Sequence, residues 1–125
     1  MAQSTETLPN GLQLLQDDRF CKLGQDSVLL SAFAKPRRNA KLLALGCGTG
    51  ALALLVWRSD LKITGLELQD GPLDLFRQSI AANELENVTA LQGDLRQMRT
   101  LLPHGSMDYV ICNPPYFDRN AGANA

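Results

Sequence analysis

The segment of this chain best suited to chemistry is Asn113-Pro114-Pro115-Tyr116, directly after the apolar run Asp108 to Cys112. Two consecutive prolines fix an extended turn, and the residue before each is held near β or polyproline geometry. Asn113 brings a side-chain oxygen and Pro114 keeps a carbonyl acceptor. Tyr116, followed by Phe117, adds a flat face. Two acceptors beside an aromatic platform suit the grip of a planar NH2 group. The plainer alternative is a turn that does no more than end a strand.

A second constellation lies upstream. Gly46-Cys47-Gly48-Thr49-Gly50 sits between an apolar run and a helical pattern. Glycines there allow a tight turn and let the backbone lie against a ligand. The spacing is G-x-G-x-G, so the third glycine comes one residue early for a dinucleotide fingerprint. Glu67 follows a second apolar run, about 20 residues on, the distance at which an acid reaches a ribose diol. Its alternative is a solvated surface carboxylate. Asp94, in Gly93-Asp94-Leu95, can accept from an adenine amine and can equally cap the segment that follows it. The single histidine, His104, falls between Pro103 and Gly105 and reads as a loop residue.

These residues need elements to hold them. Asn10-Gly11 between Leu8 and the run Leu12 to Gln16 predicts a hairpin. Asp26 is placed to cap a short helix through Ala34, ended by Pro36. Strands are expected at Lys41 to Leu45, Leu61 to Glu67, Val88 to Gln92 and Asp108 to Cys112. Between them come a helix over Gly50 to Arg58, apolar nearly all round, and one from Asp70 and Pro72 to about Asn83. The second helix directs Leu73, Leu75, Phe76 and Ile80 inward. A short helix is expected over Leu95 to Leu102. Such alternation predicts an α/β, doubly wound fold with a parallel sheet. Its first strand is central, with the second and third to one side and the fourth to the other. The fourth strand would then be an apolar, uncharged edge, which predicts self-association.

With 125 residues, 45% hydrophobic and 20% charged, the chain suits one core. A net charge of −1 leaves nucleic-acid binding to local potential. No apolar run is long enough to span a bilayer, and no secretory signal precedes the fold. Cys21, Cys47 and Cys112 lack the spacing of a disulfide framework or zinc site, so no metal and a cytoplasmic setting are expected.

In order and spacing, Leu43-Ala44-Leu45-Gly46-Cys47-Gly48-Thr49-Gly50, Leu66-Glu67-Leu68, Gly93-Asp94-Leu95 and Asp108 to Phe117 resemble the class I methyltransferases with an Asn-Pro-Pro-Tyr motif. Phe20 to Leu30 resembles the segment that precedes the nucleotide fold in tRNA adenine-N6 methyltransferases acting on valine tRNA. The resemblance covers residues 8–117. It implies a Rossmann-like fold, S-adenosyl-L-methionine as cofactor and tRNA as substrate. It divides the chain into a hairpin and helix capping the pocket (1–36), a cofactor-binding half domain (37–117) and a polar tail (118–125).

By the same resemblance, Gly46, Cys47, Gly48 and Gly50 line the methionine end of the cofactor. Glu67 holds the ribose and Asp94 the adenine. Asn113, Pro114 and Tyr116 grip the target base, with Asn113 also beside the cofactor. Asp26 closes the pocket from above. A protein glutamine-N5 methyltransferase is a second reading, since an amide NH2 is also planar. An inactive or truncated cofactor-binding module is a third. Two departures stand out. The family usually carries an acid two residues before the first glycine, where this chain has Ala44. The family fold also continues beyond the fourth strand, after which this chain has only its tail, so it reads as truncated there.

Overall fold

In a computed structural model the structure describes residues 3–20, 31, 34–97 and 106–112. They form β1 (Gln3–Thr7), β2 (Gln13–Asp17), β3 (Lys41–Leu45), α1 (Ala51–Leu55), β4 (Lys62–Glu67), α2 (Asp70–Ala82), β5 (Val88–Gln92) and β6 (Tyr109–Cys112). The last four strands make one parallel sheet in the order β5-β4-β3-β6. This is the expected doubly wound order, with the first strand of the alternating region central. β1 and β2 pair antiparallel as a separate hairpin.

The sheet forms where the chain is short, apolar and alternates with helix. Leu42 and Ala44 of β3, Ile63 of β4 and Val88 of β5 enter a core with Leu52, Ala53 and Leu54 of α1 and Leu73 and Phe76 of α2. Leu75 is buried as well. Leu8 and Leu14 join the same core from the hairpin. Burying Leu14 completely is worth about 1.5–3 kcal/mol, which helps fix the hairpin to the helices.

Polar groups set the register of that docking. The Leu15 amide donates to Ser79 Oγ at 2.9 Å, and the Gln13 amide to Asn83 Oδ1 at 2.8 Å. Asn83 Nδ2 donates back to the Gln13 carbonyl at 2.7 Å, and Asn10 Nδ2 to the Leu54 carbonyl at 2.7 Å. β2 thus starts beside the end of α2 and runs toward its beginning, where Phe20 packs over Gly71. A Cβ built on Gly71 would lie 2.3 Å from Phe20 Cζ.

Several boundaries differ from expectation, each for a local reason. The hairpin loop is wider than the Asn10-Gly11 pair. The Gly11 amide bonds to the Leu8 carbonyl and the Leu8 amide to the Leu12 carbonyl, so the loop is Pro9-Asn10-Gly11. Gly11 takes the left-handed position with φ 89° that closes such a three-residue loop. The first helix stops at Leu55 rather than Arg58. Asn87 accounts for this: it accepts from Trp57 Nε1 at 2.9 Å and donates to the carbonyls of Arg58 and Leu61. Those carbonyls are thereby held in a turn, and β4 begins at Lys62 instead of Leu61.

α2 ends at Ala82, because Asn83 turns its side chain onto the Ser79 carbonyl. Of the helix expected over Leu95 to Leu102, the described part, Leu95–Gln97, is a 3-10 turn; residues 98–102 lie outside the described residues. β6 starts at Tyr109, since the Asp108 carboxylate is bound to Arg37 at 2.9 Å and to the Lys41 amide at 2.8 Å. Most of the helix expected from Asp26 also lies outside the described residues; Ser31 is helical and Ala34 is not.

Candidate active site

All four parallel strands end at one edge of the sheet, the edge at which open α/β sheets bind ligands. Leu45 of β3 stands opposite Leu66 of β4 on one side and Cys112 of β6 on the other. Gly46 leaves β3 at that point, where the chain order reverses between β3 and β6. Asn113 is the next residue after Cys112. Asn113, Pro114 and Tyr116, like Asp26, lie outside the described residues.

The glycine loop has left-handed backbone at Gly46 (φ 58°), Gly48 (φ 57°) and Gly50 (φ 93°). Its turn is closed by the Gly50 amide on the Cys47 carbonyl at 2.8 Å and tied to β4 by the Cys47 amide on the Leu66 carbonyl at 3.1 Å. The glycines differ in what surrounds them. Among the described residues, a Cβ at Gly46 or Gly48 would meet nothing within 4 Å. A Cβ at Gly50 would lie 2.1 Å from the Phe76 ring. Gly50 is therefore required by helix packing as well as by backbone conformation.

Cys47 turns its side chain into the protein, toward Gly65, and is 8% exposed. Burial, reinforced by the Glu67 charge, pushes its thiol up to about 12. A thiol so placed is neutral at physiological pH, and with its amide bound to Leu66 what Cys47 has left for a ligand is the second lone pair of its carbonyl.

Glu67 ends β4 and braces two loops. Its Oε1 accepts from the Gly48 amide at 2.8 Å and its Oε2 from the Gln69 amide at 2.9 Å. The Glu67 carbonyl accepts from the Gly93 amide at 3.1 Å, which brings the end of β5 alongside. Gln92 Nε2 adds a bond to the Leu68 carbonyl at 3.2 Å and another to the Asp70 carboxylate. Leu68 itself stands 59% exposed.

Asp94 caps the turn after β5. Its Oδ1 accepts from the Arg96 amide at 2.9 Å and its main-chain carbonyl from the Gln97 amide at 2.8 Å. The Arg96 guanidinium also embraces the carboxylate, with Nη2 donating to Oδ2 at 2.6 Å and Nε to both oxygens at 3.1 and 3.2 Å. This guanidinium, helped by the Arg96 amide, lowers the carboxyl to about 2.

Among the described residues, then, Gly46, Cys47, Gly48, Gly50, Glu67 and Asp94 gather at one edge. Sequence reasoning passed over Arg96, whose only signal is its place two residues after Asp94. It also gave no weight to the exposed Leu68, an apolar residue just beyond a strand end. A cavity of about 500 Å3 opens at the opposite edge, between Lys41, Lys62, Asn87 and Met107, and touches none of the site residues. No described helix is long and apolar enough to cross a membrane. No group of three His, Cys, Asp or Glu among the described residues could hold a metal ion.

Comparison with known proteins agrees with this geometry. A tRNA1(Val) (adenine(37)-N6)-methyltransferase of Shewanella sp. (strain W3-18-1) is 35% identical over 113 residues, 86% of this chain and 47% of the relative. The chain thus spans just under half the length of that relative. The M. jannaschii tRNA m1G37 methyltransferase matches 92% of this chain and 36% of its own, with a TM-score of 0.70 and 19% identity. The Pyrococcus abyssi tRNA (uracil-54, C5)-methyltransferase, solved with S-adenosyl-L-homocysteine, covers 92% of this chain and 29% of its own, with a TM-score of 0.70 and 13% identity. These two likenesses establish the Rossmann-like fold of class I methyltransferases. Residues 20–124 match the family described as the methyltransferase small domain, and to that family the chain belongs.

Proposed function

We propose that this chain forms the S-adenosylmethionine-binding half of an N-methyltransferase that modifies adenine N6 in tRNA. The observation that carries the reading is the convergence, at one sheet edge, of the glycine loop, Glu67 and the strand that leads into Asn113. The name of the similar Shewanella protein favours a tRNA adenine over a protein glutamine as target.

The residues present fit the cofactor. Among the described residues, nothing stands over Gly46 and Gly48. Glu67 has an acceptor site left on each oxygen after its two amide bonds, enough for a ribose diol. Leu68 offers apolar surface for a base. Asp94 would take the adenine amine, the Gly46 to Gly50 backbone and Asn113 the methionine end, and Asp26 would close over them. The bound cofactor supplies an electrophilic methyl group on a sulfonium.

The chain's own part is to make a poor nucleophile reactive. An adenine amine has its lone pair delocalised into the ring. Asn113 Oδ1 and the Pro114 carbonyl accept its two hydrogens, which draws the nitrogen toward tetrahedral geometry and localises the pair. Catalysis here is positioning and charge stabilisation, and the proton that the methylated nitrogen sheds passes to solvent. Tyr116 stacks on an unpaired or flipped base, worth roughly 1–3 kcal/mol. A cytoplasmic location follows from a tRNA substrate.

Calorimetry of the chain with S-adenosylhomocysteine tests the reading. Binding is expected, and Glu67→Ala is expected to abolish it. No heat at millimolar ligand from folded protein would overturn it. Substrate class is read by supplying labelled cofactor with unmodified tRNA. Label recovered as N6-methyladenosine supports the proposal, and label in protein glutamine selects the amide reading instead.

A further inference from the structure

We infer that Arg96 is an electrostatic gate on the adenine subsite: its guanidinium holds the Asp94 carboxylate until a purine amine displaces it. The inference rests on the cofactor reading above, which assigns the amine to Asp94. Both carboxylate oxygens are engaged by the guanidinium, at 2.6, 3.1 and 3.2 Å. A fork of this kind uses the in-plane lone pairs that an incoming amine needs.

The two partners are held very differently. The Asp94 side chain is 21% exposed and fixed from behind, because the Arg96 amide donates to Oδ1 at 2.9 Å. The Arg96 side chain is 88% exposed. The carboxylate is thus the fixed element and the guanidinium the one free to swing into water. An exposed pair of this kind is weak, so displacement is feasible, and its effect on affinity is a factor of about two to five. The amide cap survives any change at the Arg96 side chain, so Arg96→Ala removes the fork and leaves the turn intact.

Three consequences follow from the charges. Arg96→Ala bares the carboxylate and tightens binding of S-adenosylhomocysteine. The inosine analogue presents a carbonyl oxygen where adenosine has its amine. Arg96 can donate to that oxygen and a bare Asp94 repels it, so the same substitution weakens the analogue. Salt screens the exposed pair, so moderate ionic strength raises the wild-type affinity for the adenosine ligand and barely alters the variant's.

The test is calorimetry on the full chain with both ligands, for wild type, Arg96→Ala and Arg96→Lys. Wild-type protein that is folded and binds neither ligand overturns the cofactor reading itself. Wild-type binding with an adenosine-ligand affinity about two- to five-fold tighter in Arg96→Ala, intermediate in Arg96→Lys, and weaker inosine binding supports the gate. Responses of the same sign for both ligands, or weaker adenosine binding in Arg96→Ala, overturn it and leave the cofactor reading standing. The wild-type salt titration needs no variant, and an affinity that only falls with salt also overturns the gate.

Discussion

Glu67 and Gly48 are joined by a 2.8 Å hydrogen bond in which the glycine amide donates to the carboxylate. The second oxygen of Glu67 takes the Gln69 amide. One side chain therefore braces the glycine loop after β3 and the turn before α2, and it can do so before any ligand arrives. Removing it leaves the part-buried Gly48 amide and the exposed Gln69 amide without their charged acceptor. Glu67→Gln is expected to lower stability by about 1–3 kcal/mol, because one amide then faces an NH2 donor. Thermal melts of the unliganded protein check this. An unchanged melting temperature would mean that the brace is incidental.

The two kinds of glycine in the loop should separate in the same assay. Among the described residues, alanine at Gly46 meets nothing within 4 Å and is opposed only by its left-handed backbone, at about 1–2 kcal/mol. Alanine at Gly50 adds a 2.1 Å approach to the Phe76 ring and should cost about 1–3 kcal/mol more. Equal losses for Gly46→Ala and Gly50→Ala would show that Phe76 yields freely.

Much of this arrangement was legible in the sequence because it rests on local pattern. Short apolar runs between helical patterns gave the four strands and their order, and the Gly46 to Gly50 spacing marked the loop. What escaped is carried by single polar side chains acting across the chain. Asn87 holds the turn between α1 and β4 from 26 to 30 residues away, through the Leu61 and Arg58 carbonyls and Trp57 Nε1. Asn83 and Ser79 dock the hairpin across 70 and 64 residues. No periodicity encodes such contacts. Asp94 illustrates the other limit. Its two readings, turn cap and adenine acceptor, use different lone pairs of one carboxylate, and the structure displays the cap together with the Arg96 fork.

Ala44 is where sequence pattern and packing pull apart. The family resemblance implies an acid at this position, where this chain has Ala44. Ala44 is 0% exposed, between Gly65 of β4 and Ile111 of β6. A carboxylate there loses its hydration before it gains any ligand contact. Ala44→Asp is expected to lower stability by about 2–4 kcal/mol, and Ala44→Ser by less. Denaturant titration gives both values. An aspartate variant as stable as the parent would reveal amide donors already aimed at that position.

Asp17 predicts a pH effect whose sign follows from its partners. It is a buried residue that accepts from the Arg19 amide and from the Arg19 guanidinium at 2.9, 3.0 and 2.8 Å. The guanidinium and amide hold the carboxyl at about 2, below its usual 3.8. A carboxyl depressed in the folded state contributes stability above its unfolded value and loses that contribution as pH falls through its folded value. Wild type should therefore exceed Asp17→Asn in melting temperature above about pH 4, with the gap closing toward about pH 2. Melts across that range test it, and a gap that persists at the acid end would assign the effect to packing of the hairpin end.

β6 carries the last prediction. It ends the sheet, paired through one side with β3, and no other described strand meets its outer side. Sheet edges in stable monomers are usually guarded by charge, proline or a bulge. Tyr109-Val110-Ile111-Cys112 has none of these, and Val110 is 54% exposed. Open amides and carbonyls beside an apolar side chain favour pairing with the same edge of a second copy. The purified chain is therefore expected to self-associate, with light scattering giving a mass above that of one chain that rises with concentration. Val110→Lys puts a charge on that exposed position and should return the mass toward a monomer without lowering the melting temperature. A wild-type monomer at high concentration, with a cooperative melt above ordinary mesophile values, would mean that residues outside the described set already cover this edge.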